Sequence, residues 1–134
     1  MSKKGESMQE YKLTIATITD GKETQTTRVG GLAINESALT IFYKEENAET
    51  TLTVESGKAE VVRRGDYGMK LFLKEKEIKK GSLEIGAGKG EIETYTHSVR
   101  FSIKENKVLV TLVYDILFGK EKQEMQIRVL AIKK

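Results

Sequence analysis

Apolar side chains recur at every second position in short segments of the chain. Leu39, Ile41 and Tyr43, for example, are each separated by one residue of the opposite face. Alternation with period two is typical of a β-strand that has one buried and one solvent-facing side. The same pattern occurs in five further sets: Tyr11, Leu13 and Ile15; Leu52 and Val54; Met69, Leu71 and Leu73; Val99, Phe101 and Ile103; and Met125, Ile127 and Val129. The chain is therefore predicted to be all-β.

Turn-forming residues separate these segments at intervals of about eight to twelve residues. Asp20-Gly21, Ser56-Gly57 and Gly119-Lys120 are three of these turn signals. Short strands joined by such turns indicate a sandwich or barrel with hairpin connections. The best helix candidate, from Lys74 to Lys80, has one apolar side chain in seven residues. We interpret that segment as a charged loop or strand end.

Two segments break the regular alternation. The run from Val108 to Tyr114 is apolar on both faces. It is either covered on its outer side, for instance by the N-terminal segment, or it forms a contact between two copies of the chain. The parity of the apolar positions also shifts by one between Ile92 and Val99, and a β-bulge near Tyr95 to Ser98 would explain that shift.

The pairing of three strands can be worked out from their turns. A two-residue turn at Ser56-Gly57 places Val54 opposite Ala59 and Thr50 opposite Arg63. A turn through residues 46–49 would place Glu45 opposite Thr50. Glu45, Thr50 and Arg63 would then form an inward-facing polar row. The row has two interpretations: a structural ion pair between Glu45 and Arg63, or an anchor for the polar end of a ligand inside a barrel.

The same residues carry a resemblance to a known family. The segments Tyr43-Lys44-Glu45 and Arg63-Arg64-Gly65 resemble the Tyr-x-Glu and Arg-x-Gly landmarks of the YwiB-like family, an uncharacterised bacterial group. The similarity continues through residues 90–96 and 113–116 and spans the chain from about Tyr11 to Ile132. The chain departs from the family at Gly88-Lys89-Gly90, where the family tends to have Pro-Tyr-Gly, which puts in doubt any role for an aromatic residue at that rim.

This resemblance implies a single antiparallel, up-and-down β-barrel of about eight to ten strands of the lipocalin-like (calycin) type. We expect residues 8–134 to form that one domain, after a flexible N-terminal segment at residues 1–7. The family has no established activity, so the resemblance implies none here.

Composition narrows the chemistry further. The chain has no cysteine and a single histidine, His97, so a thiolate metal site, a disulfide scaffold and a two-histidine relay are excluded. No complete set of catalytic residues is visible, so we expect a non-enzymatic protein without a cofactor or a metal. His97 is interpreted as an ordinary polar or bulge histidine. No apolar run suits a signal peptide or a membrane span, so we expect a cytoplasmic protein without a membrane partner.

We therefore expect a module that binds a small amphipathic or acidic ligand inside the barrel. The residues expected to hold its polar end are Tyr43, Glu45, Thr50 and Arg63; those expected to line its apolar part are Met69, Phe101 and Tyr114. A homodimer that uses the doubly apolar strand is the alternative. Nucleic-acid binding is a weaker alternative: Phe72 lies between lysines, but the net charge is only +3 and acidic residues interrupt the basic ones.

Overall fold

Ten antiparallel strands close into a barrel in the computed structural model, which describes residues 9–35 and 37–134. The strands are β1 (Gln9–Thr19), β2 (Lys22–Ile34), β3 (Ala38–Glu45), β4 (Ala48–Glu55), β5 (Lys58–Gly65), β6 (Tyr67–Lys74), β7 (Ile78–Ile85), β8 (Gly88–Lys104), β9 (Lys107–Phe118) and β10 (Glu121–Lys133). The proposed flexible segment at residues 1–7 lies outside the described residues. Among the described residues, no helix is long and apolar enough to cross a membrane.

Each strand pairs with the strands before and after it in the chain, and β1 pairs with β10 to close the wall. The predicted all-β, antiparallel, up-and-down barrel is therefore confirmed, and its ten strands are at the upper end of the expected range. The segment from Lys74 to Lys80 forms the end of β6, a turn and the start of β7, as its charged composition indicated.

The alternating residues face the barrel axis as predicted, and all of them except Ile103 belong to one apolar core or pack against it. Leu13, Leu39 and Leu71 are among its fully buried members. Burial of such side chains is the main favourable contribution to folding, at about 25 cal/mol for each Å² of apolar surface removed from water. The opposite face of the strands carries most of the lysines and glutamates, so the near-balanced charge belongs to the outer surface of the barrel.

Pairing between β4 and β5 follows the predicted register. Thr50 lies opposite Arg63, and Val54 lies opposite Ala59. The turn between these strands uses Gly57 with a φ of 77°, a left-handed conformation that glycine adopts without steric cost. A two-residue turn of this kind fixes the register of both flanking strands.

Pairing between β3 and β4 differs from the prediction by two residues. Tyr43, and not Glu45, lies opposite Thr50, while Glu45 pairs with Ala48. The turn between the strands consists of two residues, Glu46 and Asn47, and does not extend to residue 49. A shift of two residues keeps every side chain on its original face, so the apolar pattern alone could not distinguish the two registers.

The predicted bulge in β8 is present. The register against β9 shifts between Thr96 and Ser98, so His97 is the extra residue of the bulge. The run in β9 that is apolar on both faces is covered on one face only. Val108, Val110 and Leu112 are buried inside the barrel, whereas Leu109 on the outer face is exposed. Within residues 9–35 and 37–134, all ten strands form the barrel wall, and none of them packs over this outer face.

Candidate functional site

One end of the barrel is filled with side chains, and the other is open to solvent. We call them the closed end and the open end. The open end carries the turns that follow β1, β3, β5, β7 and β9. Toward the closed end Leu39, Val54 and Val108 are fully buried, whereas residues at the rim, such as Ile103, reach solvent. Toward the open end the inward-facing Met69, Ile92 and Met125 are only partly buried. Because Met69, Ile92 and Met125 face the axis and still reach solvent, they line a mouth.

The wall of the mouth is lower on one side. β2 pairs with β3 only over Gly30–Ile34. Within the described ranges, no strand pairs with residues 22–29 of β2 on that side. The reason is that β3 ends at Glu45 and turns back into β4. A notch therefore lies between β2 and the β3–β4 turn.

Gly30 makes the local packing at the base of this notch possible. It lies opposite Tyr43 on β3 and Tyr11 on β1. A Cβ atom at this position would lie 2.4 Å from the carbonyl oxygen of Phe42 and 2.7 Å from Cδ1 of Leu13. Only a glycine fits this close approach, so Gly30 marks tight packing between β2 and its neighbours. Leu13 and Tyr43 occupy the space that a side chain at this position would need.

Charged groups gather at the notch. Nη2 of Arg28 lies 3.5 Å from Oε2 of Glu45, and both side chains are about one-third exposed. The ion pair that was expected between Glu45 and Arg63 is therefore replaced by a pair between Glu45 and Arg28. Arg28 lies opposite Leu13, so it faces the barrel axis. The same hairpin reasoning that placed Arg63, applied to the Asp20-Gly21 turn, would have placed Arg28 there too.

Arg63 is held by the β5–β6 turn. Its Nη1 donates to the main-chain oxygen of Tyr67 at 2.8 Å and lies 2.8 Å from Oδ1 of Asp66. Its guanidinium carbon lies 3.7 Å from the centre of the Tyr67 ring. The Arg63 side chain is only 15% exposed. These contacts fix a cation at the mouth and lower the pKa of the Asp66 carboxyl, first through the hydrogen bond from Arg63.

Tyr43 lies between these groups. Burial is the largest influence on its hydroxyl and raises its pKa above 10; the neighbouring Glu45 adds to this effect. The hydrogen bond with Thr50 and the charges of Arg63 and Arg28 oppose it. The phenol is therefore protonated at neutral pH and can donate a hydrogen bond at the mouth.

The remaining predicted lining residues divide between the two halves of the barrel. Met69 lies opposite Arg63 and faces the mouth. Tyr114 forms the floor of the open half: it is only 2% exposed, and burial raises its pKa to about 12. Phe101 pairs with Val110 toward the closed end, so the structure does not bring it together with the other candidate residues.

A second polar arrangement lies on the outer wall and was missed in the sequence. Nε2 of His97 lies 2.8 Å from Oδ2 of Asp115, whose side chain is only 7% exposed. The ring of His97 also meets Tyr95 edge-on, with the ring centres 5.1 Å apart. The bulge turns His97 toward β9 and produces this contact. Within residues 9–35 and 37–134, no three histidine, aspartate or glutamate side chains group as a metal site would require.

Comparisons with known proteins agree with the fold and supply no activity. A family model described as "Domain of unknown function (DUF1934)" matches residues 4–129. The crystal structure of the ywiB protein from Bacillus subtilis superimposes with a TM-score of 0.84 at 18% sequence identity, covering 95% of this chain and 93% of that one. No functionally curated protein matches the sequence significantly.

Proposed function

Because this chain belongs to the family described as a domain of unknown function (DUF1934), we propose its function from the barrel itself. We propose that it is a non-enzymatic, lipocalin-like module of the cytoplasm that binds one small amphipathic molecule with an acidic group. The ligand would occupy the open half of the barrel. The observation that carries this proposal is that Met69, Ile92 and Met125 face the axis near the open end and are only partly buried, whereas Leu39, Val54 and Val108 toward the other end are fully buried.

The charges at the notch favour an acidic group on the ligand. The Arg28–Glu45 pair is long, at 3.5 Å, and partly exposed, so it contributes little stability by itself. A carboxylate or sulfonate that enters the mouth would find Arg28 available for a shorter, charge-assisted hydrogen bond. The protonated hydroxyl of Tyr43 would donate a second hydrogen bond to the same group.

The other lining residues favour an apolar remainder. Met69, Ile92, Met125 and Ile127 are apolar, face the axis and are only partly buried. Methionine is flexible and adapts to ligands of different shapes. The buried ring of Tyr114 and the filled closed half limit how deep the ligand can reach. An apolar chain of moderate length below an anionic head fits these boundaries.

The test uses 1-anilinonaphthalene-8-sulfonate, an amphipathic sulfonate that fluoresces when it leaves water. We expect saturable binding at one site per chain, and displacement by sodium decanoate. Arg28→Gln should weaken binding about tenfold, because a charge-assisted hydrogen bond is lost. Arg100→Gln, which removes an exposed arginine from the outer face of β8, is the matched control and should change nothing.

Circular dichroism of each variant shows whether the fold is intact, which matters because the dye also binds unfolded chains. If the folded protein does not enhance the dye's fluorescence, the proposal is wrong. It is equally wrong if Arg28→Gln and Met69→Ala bind as tightly as the parent protein.

A homodimer remains the second candidate function, and one observation favours it. Leu109 and Ile132 are exposed on the outer wall, with Leu130 directly opposite Leu109. An apolar row of this kind on a sheet is typical of protein contacts. Sedimentation velocity should then show a concentration-dependent dimer that Leu109→Lys abolishes. A monomer at all concentrations would exclude this alternative.

A further inference from the structure

A groove of about 500 Å³ lies on the outer face of the barrel, away from the mouth. It forms because β6 pairs with β7 only over Tyr67–Lys70 and then separates from it. The outward-facing residues Thr53, Glu60 and Phe72 lie side by side on β4, β5 and β6 and form its floor. Its volume is in the range of small-molecule sites in proteins.

Phe72 presents an aromatic ring in this groove. Phe72 lies two residues before the end of β6, and 39% of its surface is exposed. Nζ of Lys70 lies 5.9 Å from the centre of the ring, within range of a cation–π interaction. An exposed ring beside a cation is a surface on which a flat, electron-rich ring system can stack.

Three lysines surround the groove. Lys58 and Lys74 are directly opposite each other on β5 and β6, and Lys79 lines the groove from β7. Like charges on directly opposed residues repel, because their Cβ atoms are roughly 5 Å apart. Lys58 and Lys74 therefore extend from adjacent positions on the same outer face, where both ammonium groups can reach one anion.

Carboxylates neutralise these lysines only in part. Lys58 lies 3.6 Å from Glu55, and Glu77 is shared by Lys74 at 3.1 Å and Lys79 at 3.3 Å. All five side chains are between two-fifths and three-fifths exposed. Solvent screens such surface pairs, so each is weak. A multiply charged anion can compete with Glu55 and Glu77 for the same ammonium groups.

We propose that this groove binds a free nucleoside phosphate. The base would stack on Phe72, and the phosphates would contact Lys58, Lys74 and Lys79. The groove is the size of a single nucleotide, and Glu55 and Glu60 interrupt the basic surface along the wall, so the site suits a mononucleotide better than a strand. The proposal is independent of the mouth, because Phe72, Lys58 and Lys74 lie on the outer face of the sheet and none of the groove's lining residues belongs to the mouth.

The test measures binding of ATP by isothermal titration calorimetry and by amide shifts in two-dimensional NMR, at low salt and without divalent cations. We expect saturable binding at one site, with the largest shifts near Phe72. Tripolyphosphate and adenosine, which each lack one half of the proposed contacts, should each bind at least about tenfold more weakly. Raising the salt concentration should weaken ATP binding, because ion pairs are screened.

Variants separate stacking from charge. Phe72→Leu should weaken ATP binding about tenfold, and Phe72→Tyr should restore it, because tyrosine keeps the ring. Lys74→Gln should weaken binding and reduce its salt dependence. Lys12→Gln, which removes an exposed lysine from β1, is the control and should have no effect.

Three results would overturn the assignment. The first is no ATP binding at millimolar concentration in the folded protein. The second is binding that Phe72→Leu and Lys74→Gln leave unchanged, which would place the nucleotide elsewhere. The third is tighter binding of a ten-residue oligothymidylate than of ATP, with the same dependence on Phe72 and Lys74, which would assign the groove to single-stranded nucleic acid.

Discussion

Replacing one leucine in each half of the barrel by alanine tests whether the interior is open at one end only. Leu71 and Leu83 both face the axis. Leu71 is 1% exposed in the filled region, whereas Leu83 is partly exposed at the mouth. Leu71→Ala removes buried methyl and methylene groups and leaves a cavity, so we expect a loss of about 3 to 4 kcal/mol in the free energy of unfolding. Leu83→Ala removes groups that already touch water, and we expect a loss of about 1 kcal/mol.

Urea unfolding followed by far-ultraviolet circular dichroism measures both values, because the chain has no tryptophan for fluorescence. If Leu71→Ala does not fold, Leu71→Val should still cost measurably more than Leu83→Val, because only the former removes buried groups. Equal losses at the two sites would mean that the mouth is packed as tightly as the filled end. The inference of a ligand site in the open half would then be wrong.

Two further predictions concern titratable groups. Burial raises the pKa of Tyr114 to about 12. As the pH rises above about 10, the tyrosine therefore ionises in the unfolded state before it does so in the folded state. The folded state should lose up to about 3 kcal/mol of stability between about pH 10 and pH 12, and none of this below pH 10. Absorbance at 295 nm and urea midpoints measure this, and Tyr114→Phe should remove its share of the pH dependence. Among residues 9–35 and 37–134, His97→Ala would leave Asp115 with Lys122, at 3.9 Å, as its remaining charged neighbour. We expect a loss of about 1 to 3 kcal/mol in the free energy of unfolding by urea. An unchanged midpoint would show that solvent replaces the histidine.

The alternation of apolar residues predicted which face of each strand is buried, because side-chain direction in a strand has a period of two. The register needed a turn as well. Ser56-Gly57 is a two-residue turn, so Thr50 was placed correctly opposite Arg63. The β3–β4 turn had no glycine to mark its length. The predicted pairing of Glu45 was consequently wrong by two residues. The apolar pattern does not distinguish registers that differ by two residues, because both place the same side chains on the same face.

The candidate site could be predicted only in part, for a related reason. Arg28 lies in the first part of β2, residues 22–29, which has no alternating apolar residues. This part of the strand lines the solvent-accessible notch, so few of its side chains are buried. Its position follows from the hairpin and not from hydrophobicity. The contact between His97 and Asp115 depends on a bulge as well as on strand pairing. Sequence indicated the bulge but not the direction in which the extra residue would project.

Closure of the wall between β1 and β10 has a consequence for how the chain folds. Nine of the strand contacts join neighbours in the sequence, and each can form as a local hairpin. The tenth strand contact, between β1 and β10, places Leu13 opposite Ala131. It can form only when the two ends of the sheet meet. Contacts between distant residues form slowly, because a long loop must be closed first. Until this seam closes, β1 and β10 each present an unpaired edge, so the partly folded sheet is most exposed to aggregation there.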